Sequence, residues 1–384
     1  MRGWRDSYVG AAARQNESAP ARIKLGIASA CIRNHSVWHA LVKGWVRNID
    51  KTKFDIRIFH LSGNCDSETA FAREHVPLLH HGEKTLQQWA ALISAERVDA
   101  LIYPDLCMDT LAARLASLRL APVQIAAWGH PETTGLPTLD YYLSAADFEP
   151  AGASRFYSEK LVALPALGCC YDELPVTDAL FDWSTLGVGG ERIKFVCPGT
   201  PYKYAPRHDE IFVRIAQRVP SAVFVFFTHH EAPPLSARLM QRLADCFGAA
   251  GLDFSRHVAV VPWQPRPLFY SLMRQADVYL DTIGFSGFNT AMQAVACGLP
   301  MVTCEGRFMR GRFAAAILRR MQLTELVMPD DAAYVDCAVR LALDRRFRDT
   351  LREKMVSARH VLYGDTSSIL ALQEFLTGLF RSSH

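Results

Sequence analysis

The stretch 278–306, VYLDTIGFSGFNTAMQAVACGLPMVTCEG, reads as strand, tight turn, helix, turn and strand, one α/β unit of a parallel sheet. Val278 to Leu280 is a short β-branched and aromatic run, and Phe288 to Cys297 is rich in helix formers. Gly298 stands where a left-handed helix stop is wanted, and Leu299 and Pro300 lead into a second apolar strand, Met301 to Thr303. In the turn, Gly284, Ser286 and Gly287 let the backbone approach a ligand closely. Asn289 and Thr290 put polar side chains at a helix N-terminus, where N–H groups and the helix dipole suit a phosphate. Gln293 follows one turn later on the face of Asn289. Simple helix capping is the competing reading of these polar residues. Residues 283–304 carry no charge, but Ser, Asn, Gln and the Gly-Leu-Pro break exclude a membrane span.

The same alternation runs outward from this unit in both directions. Toward the N-terminus lie a buried-strand pattern at 23–31, the polar turn IRNHS, a helix over 37–46 and strands at 54–61, 99–105 and 123–129, with helices at 86–96 and 111–118. A second series has strands at 193–199, 222–229 and 258–263, with helices at 208–218, 236–250 and 267–275. After the opening stretch come helices near 311–322, 331–343, 346–361 and 367–380. Strands regularly separated by helices predict an α/β fold of two Rossmann-like domains, with doubly wound parallel sheets facing an interdomain cleft. The expected boundaries are a flexible lead-in at 1–22, a first domain at 23–185 and a second at 186–365. Residues 366–384 form a C-terminal helix that either closes the second domain or crosses back to the first. Residues 131–192 read as a connecting region with few clean elements.

Composition narrows the function. The chain has 384 residues, 50% of them hydrophobic and 21% charged, with a formal net charge of +3. That charge is scattered and too small to argue for nucleic acid as a partner. The ten cysteines show no metal-ligand spacing and are expected to be reduced core thiols of a cytoplasmic protein. The N-terminus has no apolar core long enough for a signal peptide. No GxGxxG follows the first strand, and no Walker lysine motif is present, so nicotinamide and NTPase readings fail. No Asp-x-Asp stands at a strand end, and no metal site is expected.

Ligands of such sheets sit off the carboxyl ends of the strands. Asn34 with His35, Asp105, and Gly129 with His130 fall at that edge of the first domain. His35 is placed either to hydrogen-bond a substrate or to act as a base. Lys203, after the turn PGTPY, is placed to offer a fixed positive charge to a diphosphate. Arg307, Arg310 and Arg312 crowd a helix start and read as a solvated face.

Six strings then occur in order: NHSVWHALVKGW, APVQIAAWGHPETTGLPTLDYYL, FYSEKLVALP, FVCPGTPYK, VVPWQPRPLFYSLMRQADVYLDT and GFNTAMQAVACGLPMVTCEGRFMRGRFAAAIL. Together they resemble the catalytic region of the protein O-GlcNAc transferases and their bacterial relatives, including the adhesin N-glucosyltransferases (glycosyltransferase family 41). The resemblance implies a GT-B fold and metal-independent, inverting transfer. It implies no cofactor beyond the UDP-sugar, which is a co-substrate. By position it makes His35 the sugar-side histidine and Lys203 the lysine that neutralises the leaving diphosphate. Gly129 and His130 match the sugar-side turn, and Thr200 lies beside the nucleotide. Gln264, Arg266 and Phe269 match positions against the uridine, Gly287, Asn289 and Thr290 the phosphate-binding helix start, and Gln293 the ribose contact. For the base, His35, Asp105 and the leaving phosphate stay open.

The chain departs from that pattern in three ways. Gln293 stands where better-known relatives have Asp, so the ribose hydroxyl finds an amide oxygen without the charge. Phe288 stands where the animal enzymes have His. The tetratricopeptide array that holds protein acceptors in many relatives is not among these residues, which leaves room for a separate acceptor-presenting partner. The favoured expectation is transfer of GlcNAc from UDP to protein Ser or Thr hydroxyls. The rivals are transfer of glucose, or transfer to Asn or a non-protein acceptor; a nucleotide-sugar epimerase; and a non-catalytic UDP-sugar-binding scaffold.

Overall fold

The structure, a computed structural model, describes residues 22–173, 175, 179–229 and 231–381. Apart from Arg22, the expected lead-in lies outside these residues. The described residues form two compact units, one running to Asp172 and resuming at Gly364, the other covering Glu173–Tyr363. Residues 173–185, assigned by the sequence to the first domain, lie with the second unit.

In the first unit the chain runs β1 (Ile23–Ser29), a π-helical turn (Trp38–Val42), α1 (Lys43–Asn48), β2 (Phe54–His60), α2 (Ser67–His75), β3 (Leu78–His81) and α3 (Leu86–Glu96). It continues through β4 (Ala100–Tyr103), α4 (Thr110–Ala116), β5 (Val123–Ala127), β6 (Tyr141–Ala145) and β7 (Lys160–Leu164). The sheet is ordered β3-β2-β1-β4-β5-β6-β7 and is parallel throughout. Its central strands are buried on both faces, Leu25, Ile27, Leu101 and Ile102 all at 0% exposure, which is why they read as continuous apolar runs. Capping boxes set the starts of α2 and α3, Asp66 with Thr69 and Thr85 with Gln88.

Strands β6 and β7 fall inside the stretch 131–192 that the sequence left as a connector. Only turns and a short 3-10 segment (Ala153–Phe156) separate β5, β6 and β7, so the strand–helix rhythm that reveals the other strands is missing there. β7 is also largely uncovered, with only Leu164 of its five residues buried.

The second unit contains β8 (Ile193–Cys197), α5 (Glu210–Arg218), β9 (Ala222–Phe227), α6 (Pro233–Ala249), α7 (Phe254–His257), β10 (Val258–Val261) and α8 (Arg266–Gln275). Then follow β11 (Val278–Leu280), α9 (Phe288–Ala296), β12 (Met301–Cys304), α10 (Phe313–Arg320), β13 (Val327–Met328), α11 (Asp331–Leu343) and α12 (Arg345–Ala358). Its strand order is β10-β9-β8-β11-β12-β13, again all parallel. One face is filled by aromatic rings: Phe212 of α5 meets Phe224 and Phe226 of β9 at centroid distances of 5.3 and 5.2 Å, and Tyr204 meets Phe226 at 5.3 Å. Each such buried ring contributes about 2 kcal/mol relative to exposure.

The last helix, α13 (Ser367–Arg381), returns to the first unit. Ile369, Leu372 and Leu376 are buried there, Phe375 packs edge-on against Tyr141 of β6 at 5.1 Å, and Gln373 accepts the Asp50 N–H at 2.7 Å. Among the described residues no helix is long and apolar enough to cross a membrane.

In both sheets the order of strand addition reverses beside the first strand, between β1 and β4 and between β8 and β11. Such switch points open a crevice at the carboxyl ends of the strands. The sequence-derived candidates gather at these two places.

Candidate active site

In the second unit the switch point is built by the turns after β8 and β11. Tyr204 clamps the first turn, its hydroxyl donating to the Cys197 carbonyl at 2.7 Å and accepting the Gly199 N–H at 3.0 Å. This clamp presents Lys203, which ends the 3-10 turn Pro201–Lys203. The Lys203 ammonium lies 4.5 Å from the centre of the Phe285 ring and 3.5 Å from the Ser286 carbonyl oxygen. Lys203 is half-buried as a residue. Burial pushes its pKa down to about 8, against the pull of Asp281. A cation with so little compensation is suited to an anion. Beside it, the Thr200 hydroxyl oxygen is buried without a hydrogen-bond partner among the described residues, as expected of a group awaiting a polar ligand.

The second turn is fastened from beneath. Ser286, 1% exposed, donates its hydroxyl to Asp281 at 2.7 Å and accepts the Ala314 N–H at 2.9 Å. The Gly287 N–H also goes to Asp281, at 3.1 Å, and the Thr290 hydroxyl pairs with the Tyr279 hydroxyl at 2.9 Å. A Cβ on Gly287 would run into the Thr290 hydroxyl, so glycine is required there. Ser286, Gly287 and Thr290 therefore use these hydrogen bonds to shape the turn. Asn289 is half-buried in the first turn of α9, and the start of that helix is the electropositive end.

The remaining donor-side candidates flank this centre. Arg266 opens α8, and Phe269 on the same helix meets Phe227 at the end of β9 edge-on at 5.4 Å. Gln264 donates to the Pro262 carbonyl at 3.1 Å, holding its own loop. Gln293 is half-buried on α9, which packs against α8. Of the three arginines read as a solvated face, Arg312 differs: it is largely buried and pairs with Glu305 at 2.6 Å. Sequence reasoning passed over Asp281, although an acid directly after the apolar run Val278 to Leu280 was the available signal.

In the first unit, His35 sits in the turn between β1 and the π-helical turn. Its Nδ1 accepts the Val37 N–H at 3.2 Å, which places the proton of the neutral ring on Nε2 and makes that atom a donor. Asn34 shares the turn; its N–H reaches the Asp66 carboxylate at 2.7 Å, and its side-chain oxygen lies 2.9 Å from His39 Nε2. Asp105 follows β4 at 0% exposure, with one oxygen accepting from Ser29 at 3.0 Å and the other without a hydrogen-bond partner among the described residues. Burial raises its pKa to about 6, against the Cys31 thiol and the Ser29 hydroxyl. Tyr142 holds the Gly129–His130 turn by donating to the His130 carbonyl at 2.6 Å. At Gly129 a Cβ would overlap the Pro104 carbonyl and come within 3.0 Å of Val37. Gly129→Ala is expected to destabilise the first unit by about 1 to 3 kcal/mol, read as an equal loss in chemical denaturation; an unchanged midpoint would show that the two turns are not packed this tightly.

Six cysteines are buried, as expected of core thiols, but Cys65 and Cys107 are exposed. They lie in polar loops after β2 and β4, where no apolar segment covers them.

Residues 172–375, more than half of the chain, match the family described as Glycosyl transferase family 41. The chain belongs to glycosyl transferase family 41. Among curated relatives it is 26% identical to a probable UDP-N-acetylglucosamine–peptide N-acetylglucosaminyltransferase SPINDLY of Solanum lycopersicum, over 88% of this chain and 37% of that protein. It is 24% identical to the UDP-glucose:protein N-beta-glucosyltransferase of Actinobacillus pleuropneumoniae serotype 5b, over 67% of this chain and 40% of that one. The family 41 chain thus spans less than half the length of these relatives. A mutant O-GlcNAc transferase of Thermobaculum terrenum superposes with a TM-score of 0.81 at 22% identity, covering 99% of this chain and 72% of the other. A Rickettsia africae glycosyltransferase superposes at 0.58 with 10% identity, covering 94% and 99%. These likenesses establish the GT-B type of fold, two Rossmann-like α/β units, that the strand order displays.

Proposed function

We propose that this chain transfers a sugar, GlcNAc in the favoured reading, from a UDP donor to Ser or Thr hydroxyls of proteins. The observation that carries the reading is the under-compensated Lys203 ammonium at the switch point of the second unit, beside the orphaned Thr200 hydroxyl and the start of α9. Membership of family 41 and the names of its relatives support it. In the reaction the acceptor oxygen attacks the anomeric carbon from the face opposite the diphosphate, and the bond from that carbon to the phosphate oxygen breaks. The electron pair leaves on UDP, whose new charge meets Lys203 and the helix start, so that fixed protein electrostatics replace a metal.

Asn289 and the backbone of the α9 start that includes Thr290 are assigned to the phosphate end, Gln293 to the ribose, and Gln264, Arg266 and Phe269 to the uracil. His35 is assigned to a sugar hydroxyl through Nε2–H, with Gly129 and His130 shaping that side. A ring whose Nδ1 already accepts a backbone N–H, and a carboxylate as buried as Asp105, are poor bases for the acceptor. The acceptor proton is therefore assigned to an oxygen of the departing diphosphate. Unpaired cysteines suit a cytoplasmic setting, and a separate chain that presents acceptors belongs to the same reading.

Calorimetric titration with UDP, GDP and ADP tests the donor assignment. One UDP per chain, bound more tightly than the other two and unaffected by a chelator, is the expected result; preference for another nucleotide, or dependence on a divalent ion, would refute it. A second reading, glucose transfer to Asn, is favoured by the match to the UDP-glucose:protein N-beta-glucosyltransferase, and the sugar and linkage formed on acceptors distinguish the two.

A further inference from the structure

Asp281 stands at the end of β11 with 3% exposure, and the donor assignments above leave it without a role. Its carboxylate gathers donors from three places: the Ser286 hydroxyl, the Gly287 N–H, and the Thr303 hydroxyl of β12 at 2.7 Å. Its backbone carbonyl accepts the Tyr334 hydroxyl of α11 at 2.9 Å. Ser286 extends the connection, since its N–H donates to the Arg310 carbonyl at 2.7 Å and its own carbonyl approaches Lys203. For shape alone a buried amide would serve, and burying a charge is unfavourable unless that charge is used.

We propose that Asp281 is a positioning residue of the transfer site, a single buried carboxylate that both shapes the Ser286–Gly287 turn and keeps the Lys203 ammonium charged beside it. The inference rests on the reading of Lys203 as the counter-charge of the diphosphate. Asp281 is the group whose charge opposes the effect of burial on Lys203; burial raises the Asp281 pKa in turn, and the hydrogen bonds from Ser286, Thr303 and Gly287, followed by the charge of Lys203, work to keep it ionised. The other titratable groups around Asp281 are Tyr279 on its own strand, Tyr334 on α11 and Cys304 on β12, which feel its charge directly, and Tyr204 after β8 and Cys197 on β8, which couple to those tyrosines. Burial pushes the pKa of each of these five upward, so they stay neutral through the physiological range. His208, paired with Asp331, and Asp209, paired with Arg242, line the same small cavity as Asp281.

Asp281→Asn keeps the shape and most hydrogen bonds, because the Ser and Thr hydroxyls can turn to accept from the amide. It removes the anion, and burial then drives Lys203 to a lower pKa. The experiment is the pH profile of kcat/KM for UDP release by the whole chain, for wild type, Asp281→Asn and Lys203→Met. The expected result is a basic limb near pH 8 in wild type and a limb about one pH unit lower in Asp281→Asn. The variant then loses roughly threefold at pH 7.5, approaching tenfold well above pH 8, and recovers toward pH 6. A uniform loss with an unmoved limb would overturn the inference and leave Asp281 a structural residue. Full activity in Lys203→Met would instead overturn the donor reading on which it rests. Should Asp281→Asn not fold, Thr303→Val carries the test: with one donor gone the carboxylate protonates at higher pH, and the acid limb is expected to rise. An acid limb equal to that of wild type would overturn the inference.

Discussion

Lys203→Met is expected to lower turnover of the UDP-sugar roughly 100- to 1,000-fold, the usual loss when one preorganised electrostatic contact to a developing oxyanion is removed. The same change is expected to make the protein more stable. A buried cation whose pKa has fallen from 10.5 to about 8 is unfavourable to the fold at neutral pH. An apolar side chain of similar length removes that burden, worth about 2 kcal/mol after allowance for the partial exposure of the residue. The sign follows from proton binding: between about pH 8 and 10.5 the unfolded chain holds the proton that the folded chain has released. Wild-type stability therefore rises through that window while that of the variant does not. Chemical denaturation of both proteins at pH 7 and pH 10, set beside their rates, checks this. A variant both inactive and less stable would mean that Lys203 supports the fold instead of waiting for a ligand.

Asp105→Asn is expected to stabilise the first unit by about 2 kcal/mol at pH 7.5 and by little near pH 4. The folded carboxyl titrates near 6 and the unfolded one near 3.8, so between those values the native chain binds more protons. Stability contributed by this group therefore falls as pH rises from about 4 to 6, and the amide abolishes that fall. The full gap corresponds to about 3 kcal/mol, from which about 1 is deducted because the new amide group inherits an oxygen position without a partner. Turnover is expected to stay within about tenfold of wild type, whereas loss of a general base typically costs 100- to 10,000-fold. A loss of that size, with the pH dependence of stability unchanged, would make Asp105 the base and displace the diphosphate from that role.

Much of this architecture was legible in the residues themselves. Central strands such as β4 and β9 are buried on both faces and appear as unbroken apolar runs, β1 and β8 are interrupted only by Lys24 and Lys194, and the helices between them carry amphipathic patterns and turn signals. β6 and β7 escaped because no regular helix separates them from β5 or from each other. The division between units was obscured for a related reason, since turn-rich sequence extends on both sides of Asp172.

At the site, Lys203 and the turn around Gly287 stood out because short-range chemistry marks them, a lysine after a strand and small residues before a helix. Which polar groups face a ligand was not legible. Ser286 and Thr290 look like phosphate contacts in one dimension, but their hydroxyls point to Asp281 and Tyr279, partners whose orientation only the folded backbone decides. Asp281 was missed for the converse reason. Its partners Ser286 and Gly287 are nearby in sequence, yet Thr303 bonds it from the neighbouring strand and the charge of Lys203 acts on it from the turn after β8.

The most direct test of the account is UDP release from a panel of UDP-sugars by the whole chain, with and without a cell lysate as a source of acceptor proteins and of any presenting partner. Release from one sugar, raised by lysate, accompanied by transfer of that sugar to protein and lost in Lys203→Met, is the predicted result. UDP bound tightly but released from none of the sugars, with or without lysate, would contradict it and leave a nucleotide-sugar-binding scaffold.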